Sequence, residues 1–223
     1  MPELPRHPTA AYVAPFLGYI GLMEAERLAG LPLEVSYPIR CAVAAALLLL
    51  FSRRVVSLRP SRVLASVAIG AGVFLIWIAP DHLFGYRHFW LFENPVVGSA
   101  ASSLPPALRG NVPFLAIRAL GSTLLVPILE ELFWRGWLMR WLIDSHFLKI
   151  PLGAYTPFSF WVVAAMFGSE HGAYWEVGVA AGILYNWWMI RTRSLADCMV
   201  AHSITNGLLS AYIMAAGQWQ YWL

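Results

Sequence analysis

The sequence predicts an all-α fold, a polytopic transmembrane helical bundle of about seven spans, or eight if residues 81–105 also cross. The first observation behind this is composition. Of 223 residues, 59 % are hydrophobic and only 12 % are charged, against about a quarter charged in a soluble domain. The second is the recurrence of apolar runs near the roughly 20 residues that a bilayer-spanning helix needs. The third is that arginines gather at the ends of those runs. A disordered chain, a collagen-like chain and an ordinary cytosolic enzyme are excluded. The chain reads as one integral-membrane domain, 1–223, with a polar, motif-bearing half at about 111–217.

In order, the apolar runs fall at about 9–29, 38–52, 63–79, 111–142, 157–170, 174–190 and 195–217. The run from Asn111 is too long for one straight span, and it reads as a span continuing into an interfacial turn through Arg140. Between Pro80 and Gly110, Pro95, Pro105 and Pro106 break a mixed stretch that reads as interfacial or dipping rather than crossing. The segment Met1 to Pro8 is broken by prolines and does not read as a cleaved signal. Cys41 and Cys198 sit in apolar segments, as small buried hydrophobes do. No internal repeat or low-complexity tract is present.

Basic residues in short loops orient such a bundle. If the loop holding Arg53, Arg54, Arg59 and Arg62 is cytoplasmic and the spans alternate, then Arg6, Arg135, Arg140, Lys149, Arg191 and Arg193 are also inside. Arg27, Arg40, Arg87 and Arg109 are outside, and Arg118 lies in a span. The split is 10 against 4. It predicts a cytoplasmic N-terminus, and it explains the net charge of +3 without a nucleic-acid partner.

Ionisable groups within a span cost a few kcal/mol or more, roughly, and so mark functional positions. Three clusters stand out. In Glu130-Glu131-Leu132-Phe133-Trp134-Arg135, the two glutamates point about 100° apart on a helix. Glu131 and Arg135, four apart, share a face and are expected to pair. Glu130 then faces elsewhere and is a candidate general base. The second cluster is Phe167-Gly168-Ser169-Glu170-His171-Gly172. The third is His202-Ser203-Ile204-Thr205-Asn206, in which His202 and Asn206 share a face. Taken singly, each cluster also reads as a charged helix end or as interhelical hydrogen bonding, with Ser203 and Thr205 as packing contacts. Asp197 is expected to cap its helix, and Asn186 to be structural and isolated.

Together the clusters supply a carboxylate and an imidazole to activate water, and a second imidazole and a carboxamide to donate to a developing oxyanion. That set suits metal-free amide hydrolysis. Glu130, His171 and His202 are also a possible zinc set, but the helical H-E-x-x-H pattern is absent. No nucleotide-binding glycine loop occurs, and no cofactor is expected.

The three clusters resemble the motifs of the CPBP family of intramembrane proteases, also called the Abi or CAAX-protease-like family, which includes the type II CAAX prenyl endopeptidases. Glu130-Glu131 with Arg135 fits its E-E-x-x-x-R motif. Phe167 with His171 fits F-x-x-x-H, and His202 with Asn206 fits H-x-x-x-N. The likeness covers roughly residues 120–212. It implies a site within the bundle, reached from the cytoplasmic side. It also implies that Glu130 activates water with help from His171, that His202 and Asn206 form the oxyanion site, and that Glu131 and Arg135 are the supporting pair. Counted along the spans, Glu130 falls near the cytoplasmic end of its span and His171 near the opposite end of its own.

The implied reaction is hydrolysis of a peptide bond in a membrane-associated peptide or protein, with the lipid bilayer as the other partner. Arginine outnumbers lysine 14 to 1, which suits a GC-rich bacterial host and an inner-membrane location. In such a host, peptide maturation or a protein-sorting system is the expected setting, and a prenylated substrate is not. The rival readings are a non-catalytic binding or immunity protein using the same polar pocket, and an ion or metal carrier.

Overall fold

The computed structural model describes residues 8–222, so the N-terminal segment with Arg6 lies outside the described residues. Among these residues the fold is all-helical, with one isolated bridge between Asn94 and Gly98. Seven helices correspond to the seven apolar runs. They are α1 (Pro8–Ala29), α2 (Leu33–Ser52), α3 (Val63–Phe84), α4 (Val112–Trp141), α5 (Pro157–Ser169), α6 (Trp175–Thr192) and α7 (Leu195–Ala216). Four of them, α2, α3, α4 and α7, are long and apolar enough to cross a membrane, and α5 is apolar but shorter.

Local chemistry sets the helix ends. Asn111 accepts from the Phe114 amide, and Pro113 occupies the first turn of α4, where its missing N–H costs nothing. Thr156 and Ser159 form a reciprocal capping box on α5. Ser194 accepts from the Asp197 amide to start α7. Asp197 is therefore not the cap. Its carboxylate instead accepts from the backbone of Ser61 and Arg62 and from the hydroxyls of Ser61 and Ser66, tying the start of α3 to the start of α7. Gly85 and Gly217 end α3 and α7 in the left-handed conformation that favours glycine.

The helices alternate in direction. At one end Ser52 Oγ donates to Ala11 O (2.6 Å), and Arg140 lies over the Tyr12 ring, joining the start of α1 to the ends of α2 and α4. At the other end Tyr37 Oη donates to Arg118 O (3.2 Å), and His82 meets Tyr212 (2.6 Å). Arg53, Arg54, Arg59, Arg62, Arg140, Lys149, Arg191 and Arg193 all belong to the first end, the basic end. The stretch after α3 does not cross. α3 runs on to Phe84 through Pro80, and residues 85–111 hold a single 3₁₀ turn and close over the second end. There Arg87 pairs with Asp81 (2.5 Å) and Glu176 (2.7 Å), and Ser103 N donates to Trp222 O.

Close packing of α3 on α7 depends on Gly70. A Cβ there would run into Ala201 O and lie 2.8 Å from Ile204 Cβ, while Thr205 Oγ1 donates to Gly70 O at 2.9 Å. Small-residue approach of this kind is how helices associate where lipid removes the hydrophobic drive. Cys198 is buried and Cys41 half-buried, both as free thiols.

Candidate active site

Helix α4 carries the first motif. At 30 residues it is about 45 Å long, and two stretches widen to i→i+5 turns, Gly121–Leu125 and Leu132–Leu138. The first lies just before Pro127, whose ring and missing N–H disturb a regular α-helical ladder. The second begins directly after the two glutamates. Because α4 continues 11 residues past Glu130, that residue lies about 16 Å from the helix end, at mid-depth rather than near the cytoplasmic end. Helix α5, at 13 residues, is only about 20 Å long and ends inside the bundle. His171, two residues past its end, is thereby delivered into the bundle, onto the cavity that Glu130 also lines. The two positions that looked far apart along their spans are brought together by unequal helix lengths.

Glu131 and Arg135 pair as the helical spacing predicts, at 3.1 Å and with both side chains fully buried. The pair is part of a larger network. Arg135 Nε donates to Asn186 Oδ1 (2.9 Å) and Nη2 to Gly182 O (3.3 Å), while Asn186 Nδ2 donates to Phe160 O (2.8 Å). Asn186 is thus structural but not isolated, since it orients the arginine. The guanidinium also lies 4.5 Å from the Phe167 ring centroid and 5.4 Å from that of Tyr185.

His202 bridges the two glutamates. Its Nδ1 is 3.0 Å from Glu131 Oε1, and its Nε2 is 3.8 Å from Glu130 Oε2. The Glu131 carboxylate, paired with Arg135, accepts here, so the Nδ1 proton belongs to that bond. Nε2 is left facing Glu130. Tyr185 stacks on the His202 ring at 4.9 Å and donates its hydroxyl to Thr205 Oγ1 (2.7 Å). Thr205 therefore acts as the expected packing contact, whereas Ser203 faces an apolar groove between α4 and α7.

His171 Nδ1 lies 2.8 Å from Phe167 O. A carbonyl only accepts, so Nδ1 carries the proton and Nε2 presents a lone pair. Trp77 stands edge-on to this ring at 5.0 Å, and Phe167 touches both imidazoles, at 5.0 and 5.8 Å. Asn206 Nδ2 donates to Ser122 O at 2.9 Å. Glu170, next to His171, does not line the cavity; it accepts from Trp134 Nε1, and its charge acts on Glu130.

Glu130, His171, His202 and Asn206 all line one cavity, together with Trp77, Phe167, Tyr185 and Thr205. On the basic side of Glu130 the bundle is filled by Phe16 stacked on Phe133 at 4.4 Å, with Trp134 against Phe16. From Glu130 the cavity instead follows Val126, Ser122 and Arg118, at four-residue steps along α4, toward Tyr37 and Arg40. It extends away from the basic end, not toward it as the resemblance implies. Among the described residues, no three His, Cys, Asp or Glu side chains are placed to hold a metal ion. The zinc set of Glu130, His171 and His202 is therefore not assembled in this geometry.

A family model described as type II CAAX prenyl endopeptidase Rce1-like matches residues 112–208. That motif-bearing segment is similar to the Rce1-like family. The match begins at the first residue of α4 and ends within α7, so it spans all three motifs and Glu130, Glu131, Phe167 and Tyr185 around His202. No curated protein and no solved structure matches the chain. The Rce1-like family is a family of proteases, and the four cavity-lining motif residues sit inside its matched region. Trp77, on α3, and Arg40 and Tyr37, on α2, lie outside the Rce1-like segment yet wall the same cavity.

Proposed function

We propose that this chain is an intramembrane endopeptidase that hydrolyses a peptide bond of a membrane-associated substrate with water activated by Glu130 and His171. The observation that carries the reading is the convergence of Glu130, His171, His202 and Asn206, from three separate segments, on one cavity. Water held between the Glu130 carboxylate and His171 Nε2 attacks the scissile carbonyl carbon, and its proton passes to Glu130. The oxyanion takes hydrogen bonds from the second amide hydrogen of Asn206 and from Nε2 of a doubly protonated His202, whose Nδ1 proton is already committed to Glu131. On collapse the C–N bond breaks, and the proton held by Glu130 goes to the leaving amine. No acyl-enzyme forms, because the nucleophile is water itself.

The basic end of the bundle fits a cytoplasmic location by the charge bias of short loops, with a bacterial inner membrane as the setting and peptide maturation or sorting as the role. A cysteine placed at Arg54 should then be labelled only from the cytoplasmic side, and one at Leu28 only from the other.

The test of the reaction is turnover of a mixed library of apolar peptides by the purified protein, its Glu130→Gln variant, and the native protein in EDTA. A general base contributes about a hundred- to ten-thousandfold, so the variant should lose at least that much while EDTA has no effect. Normal turnover by Glu130→Gln would sink the assignment. Loss of activity in EDTA, restored by zinc, would replace it with the metal reading.

A further inference from the structure

The apolar groove between α4 and α7 that Ser203 faces lies outside the cavity and takes no part in the reaction above. On α7, Ala196, Met199, Val200, Ser203 and Ile204 fall at i, i+3, i+4, i+7 and i+8, which is one helical face. Leu124 and Ile128, one turn apart on α4, form one wall. Leu58 and Pro60, in the loop before α3, form the other, at the basic end of the bundle. Ile128 stands two residues before Glu130, about 200° around the helix, so the groove and the cavity share α4 but not a face of it. The loop is fixed over the groove rather than free. The Asp197 carboxylate, one residue beyond Ala196, accepts from the amides of Ser61 (3.0 Å) and Arg62 (2.7 Å). The groove is also open to the outside, since Leu58 is 64 % and Leu124 55 % exposed.

We propose that this groove binds one anionic phospholipid, with an acyl chain lying along α7 and the phosphate held by Arg59 and Arg62. These two arginines flank the loop wall, and both are exposed. Among the described residues neither side chain has an ion pair or a hydrogen bond. Asp197 does not serve them as a counterion, because it is fully buried and its oxygens are taken by Ser61, Ser66 and the Arg62 backbone. Guanidinium groups bind phosphate oxygens through paired N–H donors, and a basic cluster beside a span concentrates anionic headgroups. The length also fits. From Ala196 to Ile204 the groove runs eight residues along α7, or about 12 Å, against roughly 15 Å for one leaflet, half of the hydrocarbon core. A single chain entering from the headgroup side fills it without passing the midplane. The occupant is a lipid because the groove opens between two helices that cross the hydrocarbon, with apolar walls below and uncompensated positive charge at its mouth. The site stands whether or not the chain is a hydrolase.

The experiment uses the full chain, delipidated in a neutral detergent and titrated with phosphatidylglycerol or with phosphatidylcholine of the same acyl chains. Bound lipid is counted by native mass spectrometry. One phosphatidylglycerol should bind at least tenfold more tightly than phosphatidylcholine. The double variant R59Q/R62Q, which alters only exposed side chains, should erase that preference and leave phosphatidylcholine binding unchanged. R53Q/R54Q removes the same charge from the end of α2 and should keep the preference. Leu124→Trp, which fills the groove from its exposed wall, should weaken both lipids at least tenfold. Glycerol 3-phosphate, the headgroup without chains, should not compete at a hundredfold excess. Equal binding of the two lipids by the native protein, or no binding, overturns the site. So does an equal loss of preference in R53Q/R54Q, which would mean diffuse charge attraction. Unaltered binding by Leu124→Trp, or competition by glycerol 3-phosphate, overturns the groove as the place where the chain lies.

Discussion

Glu130 and Glu131 are neighbours in the chain and occupy two different kinds of place. Around Glu131 the bundle is dry and closed. Its carboxylate meets Arg135 and His202, Arg135 meets Asn186 and Gly182, and aromatic rings of Phe167 and Tyr185 cover the rest. Around Glu130 the side chains face a cavity, the far nitrogen of His202 lies 3.8 Å away, and the Glu170 carboxylate acts on it from the end of α5. The difference teaches how a bundle holds a reactive carboxylate in hydrocarbon. The charges that must be buried are paired on one side of the helix. On the other side a single carboxylate is left to meet substrate. His202 belongs to both regions, so the rigid side positions the reactive one.

The comparison makes opposite forecasts for the two sides: cavity variants lose turnover and keep stability, and network variants do the reverse first. The largest structural effect is expected from Arg135→Met, which strands the buried Glu131 charge and should cost about 3–5 kcal/mol. It is read as a fall in the denaturation midpoint of the purified protein. The double variant E131L/R135M should recover much of that stability, because replacing both partners of a buried pair is often near neutral, yet remain inactive since His202 loses its anchor. If the double variant is no more stable than the single one, the pair is not the centre of the network.

Next comes Asn206→Ala. Loss of an oxyanion donor lowers kcat by about a hundred- to a thousandfold, with KM and the unfolding midpoint nearly unchanged. A parallel fall in stability would move Asn206 to the structural side. The smallest effect is that of Asn186→Leu, which leaves Arg135 Nε without its acceptor and should cost about 1–3 kcal/mol, with a modest loss of turnover transmitted through His202. An Asn186→Leu protein with native stability and greatly reduced turnover would show that the two regions are not separable.

Most of the fold was legible in the sequence. The seven apolar runs match seven helices to within a few residues at nearly every end, because hydrocarbon thickness and backbone self-satisfaction leave a span few alternatives. The apolar run starts at 38 but α2 starts at Leu33, because its first turn carries the charged Glu34 and so breaks the apolar pattern. The Glu131–Arg135 pair was legible from spacing alone. Tyr185, Trp77 and Arg40 were not. An aromatic or an arginine near a span end reads as a headgroup anchor, and only the neighbours supplied by distant helices turn it toward a cavity. Asp197 was misread for a similar reason: its partners, Ser61, Arg62 and Ser66, are more than 130 residues away in sequence.

What the sequence determined by itself was local and periodic: which segments span, which ends are basic, and which polar residues share a helical face. Those properties follow from 1.5 Å per residue and a fixed solvent thickness. Tertiary structure decided depth and direction. A short α5 and an overlong, widened α4 bring His171 and Glu130 onto one cavity. Gly70 lets α3 close on α7 beside His202. The cavity then runs along α4 away from the basic end, because aromatic rings fill the bundle on the other side of Glu130. No periodicity encodes these outcomes, since they depend on how unequal helices pack against one another.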